Sequence, residues 1–254
     1  MVIIHFHLDC VDAMGANMIN TIAEALAPEV ERLTGERVGL RILSNLASER
    51  LATASCRIPI KNLETANHSG RFVADGIVNA YRFAYSDPWR AATHNKGIMN
   101  GIDAVVIATG NDFRAVEAGV HAYAARSGKY RSLSDAYIIE DKFVMELSIP
   151  LALGTVGGLT KLHPMVAWCM ELLGNPSAQK LMEIVAVTGL AQNFAALRSL
   201  ITTGIQKGHM KMHLLNILSQ FNASKSQKIA AIKHFTSRQV TVQAVNNFLK
   251  KNKF

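Results

Sequence analysis

Two side chains in one short stretch offer the clearest chemistry in this sequence. In HNKGIMNGIDAVVIATGNDFR, residues 94–114, Lys96 stands in a run rich in Gly and Asn, and Asp112 follows the β-branched run DAVVIAT. An ammonium group held by a carboxylate can stabilise the negative charge that develops on a carbonyl oxygen under attack. A lone lysine is more often a solvated surface group, and Asp112 can cap the helix that FRAVEAGVHAYAARSG predicts, alone or together with the first role. Asn45, Asn100 and Asn193 each sit beside an apolar run and can fix a neighbour by hydrogen bonds.

Two further constellations have a functional reading beside a bland one that spacing alone favours. Asp12-Ala-Met-Gly-Ala-Asn17 opens a predicted helix, where free N–H groups and the helix dipole favour an anion such as a dinucleotide pyrophosphate. Gly15 would let a ligand approach the backbone, while Asp12 serves equally as an N-cap; no GxGxxG follows a strand, so a Rossmann fold is not supported. Near the other end, His209 and His213 lie four residues apart, the spacing of metal ligands on one helix face, but no Asp or Glu in the segment completes such a site. A histidine of ordinary pKa there suits protonation of a thiolate or alkoxide leaving group, or is simply exposed. His5 and His7 share a strand face and read as structural.

The elements that must position these residues follow from periodicity. Val2–Leu8 reads as a strand and Ala13 to about Leu33 as a helix, with a kink or break at Pro28 and a stop at Gly35. Strands are predicted at Val38–Leu43 and Leu51–Ile60, and a helix at Arg71–Phe83. The His94–Gly101 stretch reads as a polar loop and Asp103–Thr109 as a strand, so Lys96 and Asp112 would flank one strand, loop and helix unit. A hairpin is expected at Ala136–Glu140 and Lys142–Leu147, then a glycine-rich turn at Leu153–Thr160 and helices at Met165–Leu173 and Ala178–Thr203. Beyond Gly204 come three short amphipathic helices, separated at Asn222-Ala-Ser and Thr236-Ser.

With 254 residues, 49% apolar and 18% charged, the chain can bury a sizeable core. No apolar run of about eighteen residues and no signal-like start are present, which sets a cytoplasmic expectation. Cys10, Cys56 and Cys169 are widely spaced and suit neither a disulfide framework nor a zinc site. The net charge of +8 is concentrated: residues 204–254 carry nine of the 27 Lys and Arg and none of the 19 Asp and Glu. Such a segment is a solvated helical face, a site for a phosphate-bearing ligand, or a nucleic-acid contact.

Taken together, Asp12-Ala-Met-Gly-Ala-Asn17, His94-Asn-Lys-Gly-Ile-Met-Asn-Gly101, Ala108-Thr-Gly-Asn-Asp112, Gly154-Thr-Val-Gly-Gly158 and Gly208-His-Met210 resemble hydroxymethylglutaryl-CoA reductase of the bacterial, class II type. The resemblance implies reduction of the thioester of 3-hydroxy-3-methylglutaryl-CoA to mevalonate, with two NADPH or NADH as co-substrates, release of CoA and no metal. It assigns carbonyl polarisation to Lys96, a hydrogen bond to that lysine to Asp112, and protonation of the departing thiolate to His209. It further places Arg90 on the substrate carboxylate, Asn100 and Asn193 in the substrate site, and Asp12, Gly15, Asn17 and Asn45 near the nicotinamide nucleotide.

The implied architecture is α/β (mixed α+β). Residues 1–45 would be a remnant of a small nucleotide-binding domain, 46–203 a larger substrate- and CoA-binding domain, and 204–254 a helical C-terminal flap. A homodimer or larger homo-oligomer is expected, with no membrane and no nucleic-acid partner. Three residues depart from the pattern: Leu159 where the family has a small residue, Ser199 for the usual Ala, and Met212. The bulk of Leu159 would weaken CoA or nucleotide binding. The family's N-terminal part and its glutamate motif have no counterpart, since no Glu-Asn-Val occurs. The expectation is a chain impaired alone, with exposed strand edges. Alternatives are a split enzyme completed by a separate N-terminal polypeptide, or a non-catalytic CoA- or nucleic-acid-binding fragment.

Overall fold

In the computed structural model, the strand β3 (Lys142–Pro150) is buried along most of its length and has a partner on each edge. The structure describes residues 1–160, 162–236 and 238–251, with residues 205–209 and 211 described by their backbone alone. Antiparallel to β3 lie β1 (Leu51–Pro59), with Leu51 opposite Pro150, and β2 (Ser134–Ile139), with Ser134 opposite Leu147, giving the order β1-β3-β2. β1 buries Ala52 and Ala54 and exposes Leu51, Thr53 and Ser55, the alternation of a sheet with one covered face. The expected hairpin is therefore present. The mixed α/β class is as the sequence implies.

Helices cover this sheet. α2 (Gly70–Ser86) is capped by Ser69, whose side chain accepts from Phe72 N, and buries Val73, Ala74, Ile77, Val78 and Ala84 at helical spacing. It packs on β2 and on α3 (Pro88–Ala108), while α4 (Phe113–Ala124) packs on β3 and α3. Ile77, Ile98 and Ile102 are fully buried; each contributes about 1.5–3 kcal/mol by leaving water. α5 (Pro164–Leu172) and α6 (Ala178–Ile201) follow the glycine-rich turn, which contains a short 3-10 segment at Gly158–Thr160. Among the described residues α6 alone is long and apolar enough to cross a membrane. Here its Leu181, Val185 and Ala186 are buried core.

The polar loop expected at His94–Gly101 and the strand expected at Asp103–Thr109 are both overturned: each lies inside α3. The helix starts upstream, where Asp87 accepts from Arg90 N at 3.0 Å and Pro88 takes the first position. Gly101 breaks no helix because it is a packing site: a Cβ there would stand 2.8 Å from Thr188 O and 2.9 Å from Gln192 Cβ of α6. The β-branched run Val105-Val-Ile107 stays helical with Val106 fully buried, tertiary packing overriding propensity.

The strands expected at Val2–Leu8 and Val38–Leu43 do not form; both stretches lie outside any sheet and are almost wholly exposed. Between them α1 (Ala16–Thr34) starts three residues later than the periodicity suggests, passes through Pro28 without ending, and stops at Gly35 with φ 72°. Met1–Ala195 form one compact unit and Ala196–Phe254 a second. The second contains α7 (Ile205–Gln220), α8 (Lys225–His234) and α9 (Val242–Lys251), around a core of Leu214, Ile217, Leu218, Ala231, Phe235 and Val245.

Candidate active site

Residues 11–15 form a turn held by partners far along the chain. Asp12 Oδ1 accepts from Ala178 N at 2.8 Å, so this carboxylate caps α6 and not its own helix. Asp12 O accepts from Thr155 N at 2.8 Å. α1 begins from Gly15 instead, in the left-handed region at φ 104° and without a side-chain cap. A Cβ at Gly15 would stand 2.3 Å from Cys10 Sγ, so glycine is needed both for conformation and for space. The N–H groups of the first turn, including that of exposed Asn17, therefore have no side-chain cap and face the need for an acceptor. Beside the turn opens a cleft of about 650 Å³ lined by Asp12, Thr155, Thr160, Met170, Asn175 and Ser177.

The second half of the candidate site is α3. Its inner face, including His94, Asn95, Ile98, Met99 and Ile102, is buried, whereas Lys96 and Asn100 are exposed one helical turn apart. Arg90, on the same helix, is half-buried, and burial lowers its guanidinium pKa. Beneath this face runs a directed hydrogen-bond chain. Ser134 Oγ donates to Asn193 Oδ1 at 2.8 Å and, having one proton, must accept from His94 Nε2 at 2.8 Å. His94 is thus the Nε2–H tautomer. Its Nδ1 is buried with no partner among the described residues. Burial, and secondarily the charge of Arg90, lower the His94 pKa to about 4, so the ring is neutral.

The remaining expected residues are spread out. Asp112 caps α4, accepting from Arg114 N at 3.1 Å and Ala115 N at 3.2 Å, with Arg114 Nε at 3.6 Å. Among the described residues no ion pair within 4.0 Å joins Lys96 to a carboxylate. Asn111, next to Asp112, accepts from Gly154 N at 2.8 Å and so ties the start of α4 to the glycine-rich turn. Exposed Asn45 has its carbonyl against α4, where a Cβ on Gly119 would meet it at 2.5 Å. The His209 side chain lies outside the described residues. Leu159 is half exposed and stands beside Gly110.

These arrangements can be set beside known proteins. The family described as Hydroxymethylglutaryl-coenzyme A reductase matches residues 1–214. The chain belongs to that family. The 3-hydroxy-3-methylglutaryl-coenzyme A reductase of Archaeoglobus fulgidus is 50% identical over 219 residues, which are 85% of this chain and 49% of the relative. The probable reductase of Borreliella burgdorferi is 39% identical over 229 residues, 89% of this chain and 53% of its own length. The chain thus spans about half the length of the curated relatives it matches. Among solved structures, the reductase from Streptococcus pneumoniae superposes with a TM-score of 0.75 at 44% identity, covering 96% of this chain and 58% of that one. A class II structure from the same organism, bound to NADPH in open conformations, gives a TM-score of 0.74 at 50% identity over 76% of this chain and 53% of that one.

In this member of the hydroxymethylglutaryl-coenzyme A reductase family, sequence reading missed several polar residues that the fold brings together. Asp103 of α3 shares a hydrogen bond with Glu117 of α4; burial first, then that neighbour, raise the Asp103 pKa to about 7. Glu117 in turn pairs with His121 at 2.6 Å, whose Nδ1 lies 2.7 Å from Tyr130 Oη. In sequence Asp103 reads as the start of a strand and Glu117 as part of a helix; with α3 read as loop and strand, their meeting was invisible. Ser134 and Arg50 carry no local signal at all.

Proposed function

We propose that the protein acts in the two-step reduction of 3-hydroxy-3-methylglutaryl-CoA to mevalonate, with two NADPH or NADH consumed and CoA released. The observation that carries this reading is α3, which offers Lys96 and Asn100 on its exposed face one turn apart, with Arg90 nearer its start, in a chain of this reductase family. The nucleotide fits the turn at residues 11–15: uncapped N–H groups of α1 suit its phosphates, and the missing Cβ of Gly15 leaves the backbone open. When bound, it supplies hydride to the thioester carbon and then to the aldehyde carbon. Asp12, Asn17 and Asn45 belong to this side of the site.

Lys96 places its ammonium at the carbonyl oxygen, where it stabilises the negative charge left when hydride adds to carbon. In the working complex the Asp112 carboxylate, which caps α4 in this structure, would turn to Lys96 and hold that ammonium charged and in place. His209 gives its proton to sulfur as the carbon–sulfur bond breaks, so that CoA leaves as a neutral thiol and the carbonyl re-forms as an aldehyde. In the second reduction Lys96 supplies the proton that completes the alcohol. Arg90 pairs with the substrate's free carboxylate, Asn100 orients the oxygen beside Lys96, and Asn193 is held in register by Ser134. The working form is a homodimer or larger homo-oligomer in the cytoplasm.

Purified chain incubated with the CoA thioester and NADPH, followed by loss of reduced nicotinamide and release of thiol, tests the reading. Lys96→Ala should remove turnover by about 100-fold or more while leaving NADPH binding unchanged. His209→Gln should slow thiol release but spare reduction of the free aldehyde. Absence of both turnover and specific binding of thioester and NADPH would overturn the proposal.

A further inference from the structure

The turn at residues 11–15 is strained, and one side chain gathers it. Val11 has φ 51°, in the left-handed region that a β-branched residue adopts only at a cost. Gly15 follows at φ 104°. Opposite them stands Arg50, just before β1 and half-buried. Its Nη1 donates to Ala13 O at 3.2 Å and Met14 O at 3.1 Å, and its Nη2 to Leu153 O at 2.7 Å and Val11 O at 3.4 Å. One guanidinium thus collects three carbonyls of the turn and one from the neighbouring glycine-rich segment. That segment approaches so closely that a Cβ on Gly154 would stand 2.6 Å from Met14 N.

We propose that Arg50 is a positioning residue for nucleotide binding, holding the 11–15 turn in the shape that turns its amide groups toward an anion. In a trans peptide the C=O and the following N–H point in opposite directions. Drawing the carbonyls of Val11, Ala13 and Met14 onto one cation therefore directs the N–H groups of Asp12, Met14 and Gly15 away from it. The same contacts remove three carbonyl dipoles from the neighbourhood of the uncapped α1 N-terminus, where they would repel a phosphate. Only a forked, planar cation can serve four acceptors at once; a lysine in this place is a single point donor. The strain at Val11 is then maintained by the surrounding contacts, as a strained residue requires. Asp12 completes the arrangement by reaching Ala178 N and Thr155 N from the same turn.

This inference rests on the nucleotide reading of the turn, and two measurements on the full chain separate them. Hydrogen exchange should show the amides of residues 10–18 and 153–155 exchanging at least about ten-fold faster in Arg50→Ala than in the parent, with β3 amides unchanged. Arg50→Lys should restore part of that protection, and Val11→Gly in the Arg50→Ala background should restore part of it by relieving the strain. NADPH titration by fluorescence should give about ten- to hundred-fold weaker binding for Arg50→Ala and an intermediate value for Arg50→Lys. Should Arg50→Ala fail to fold, Arg50→Lys still reads both quantities. Unchanged exchange in these segments, or full NADPH affinity in a folded Arg50→Ala chain, overturns the proposal. If the parent chain binds no NADPH, the functional reading falls and the nucleotide role with it, while exchange still decides whether Arg50 organises the turn.

Discussion

Within the first 46 residues only Cys10, Gly15 and Ala27 are buried, whereas between Leu51 and Leu153 the sheet and three helices bury Ile77, Ile98, Ile102, Phe143, Leu147 and many others almost completely. The front stretch is not short of apolar side chains: Val2, Ile3, Ile4, Leu40 and Ile42 stand 63–92% exposed. What differs is pairing. β3 has a hydrogen-bonded neighbour on each edge, while Val2–Leu8 and Val38–Leu43 have none among the described residues. An apolar pattern supplies a face for burial, but a strand exists only when a second strand satisfies its backbone.

The largest expected effect breaks the contrast at its core. Gly101→Val drives a side chain into Thr188 O and Gln192 and should cost about 3 kcal/mol or more, or abolish folding. Gly39→Val meets nothing within 4 Å and should change stability by less than about 0.5 kcal/mol, both read from urea unfolding. Next, Ile98→Ala should cost about 2–5 kcal/mol, because the side chain is fully buried, while Ile42→Ala, at 65% exposed, should leave the urea midpoint in place.

Smaller effects appear against pH. The His94 pKa falls from the ordinary imidazole value of 6.5 to about 4 on folding, so its contribution to stability is complete above pH 6.5 and is lost as pH drops through about 4. Asp103 runs the other way: raised from 3.8 to about 7, it stabilises most below pH 3.8 and loses that contribution as pH rises through about 7. The two slopes oppose each other across most of this window. His94→Gln should therefore make stability fall more steeply with rising pH, and Asp103→Asn should make it rise more steeply, in urea midpoints measured from pH 4 to pH 8. Smallest in energy is native-state hydrogen exchange: amides of Val2–Leu8 should exchange at nearly unprotected rates, and those of Phe143–Ile149 only on global unfolding. Protection in Val2–Leu8 comparable to β3 would erase the comparison.

How far the sequence could be read follows the same division. The β2–β3 hairpin, the helices from Phe113 onward and the three C-terminal helices were legible because their signals are local: an alternating run, a cap, a break at Asn222 or Thr236. α3 was misread because Gly97, Asn100 and Gly101 resemble a loop, although Asp87-Pro88 carried an N-terminal signal that reads correctly in retrospect. Gly101 is accommodated by close contact with α6, which no window of α3 reveals. Of the candidate site, residue types and motif order were visible. The use of Asp12 as a cap for α6, the meeting of Asp103 with Glu117, and the pairing of Ser134 with Asn193 each join positions distant in sequence and were not.

The 11–15 turn also carries a kinetic consequence. Its distant partners Arg50, Thr155 and Ala178 lie 36 to 39, 143 (155 − 12) and 166 positions away, so these hydrogen bonds cannot form until long loops have closed around the sheet and α6. A segment assembled from such contacts belongs to the last steps of folding. Conservative substitutions in it should speed unfolding and leave the folding rate almost untouched, with φ-values near zero.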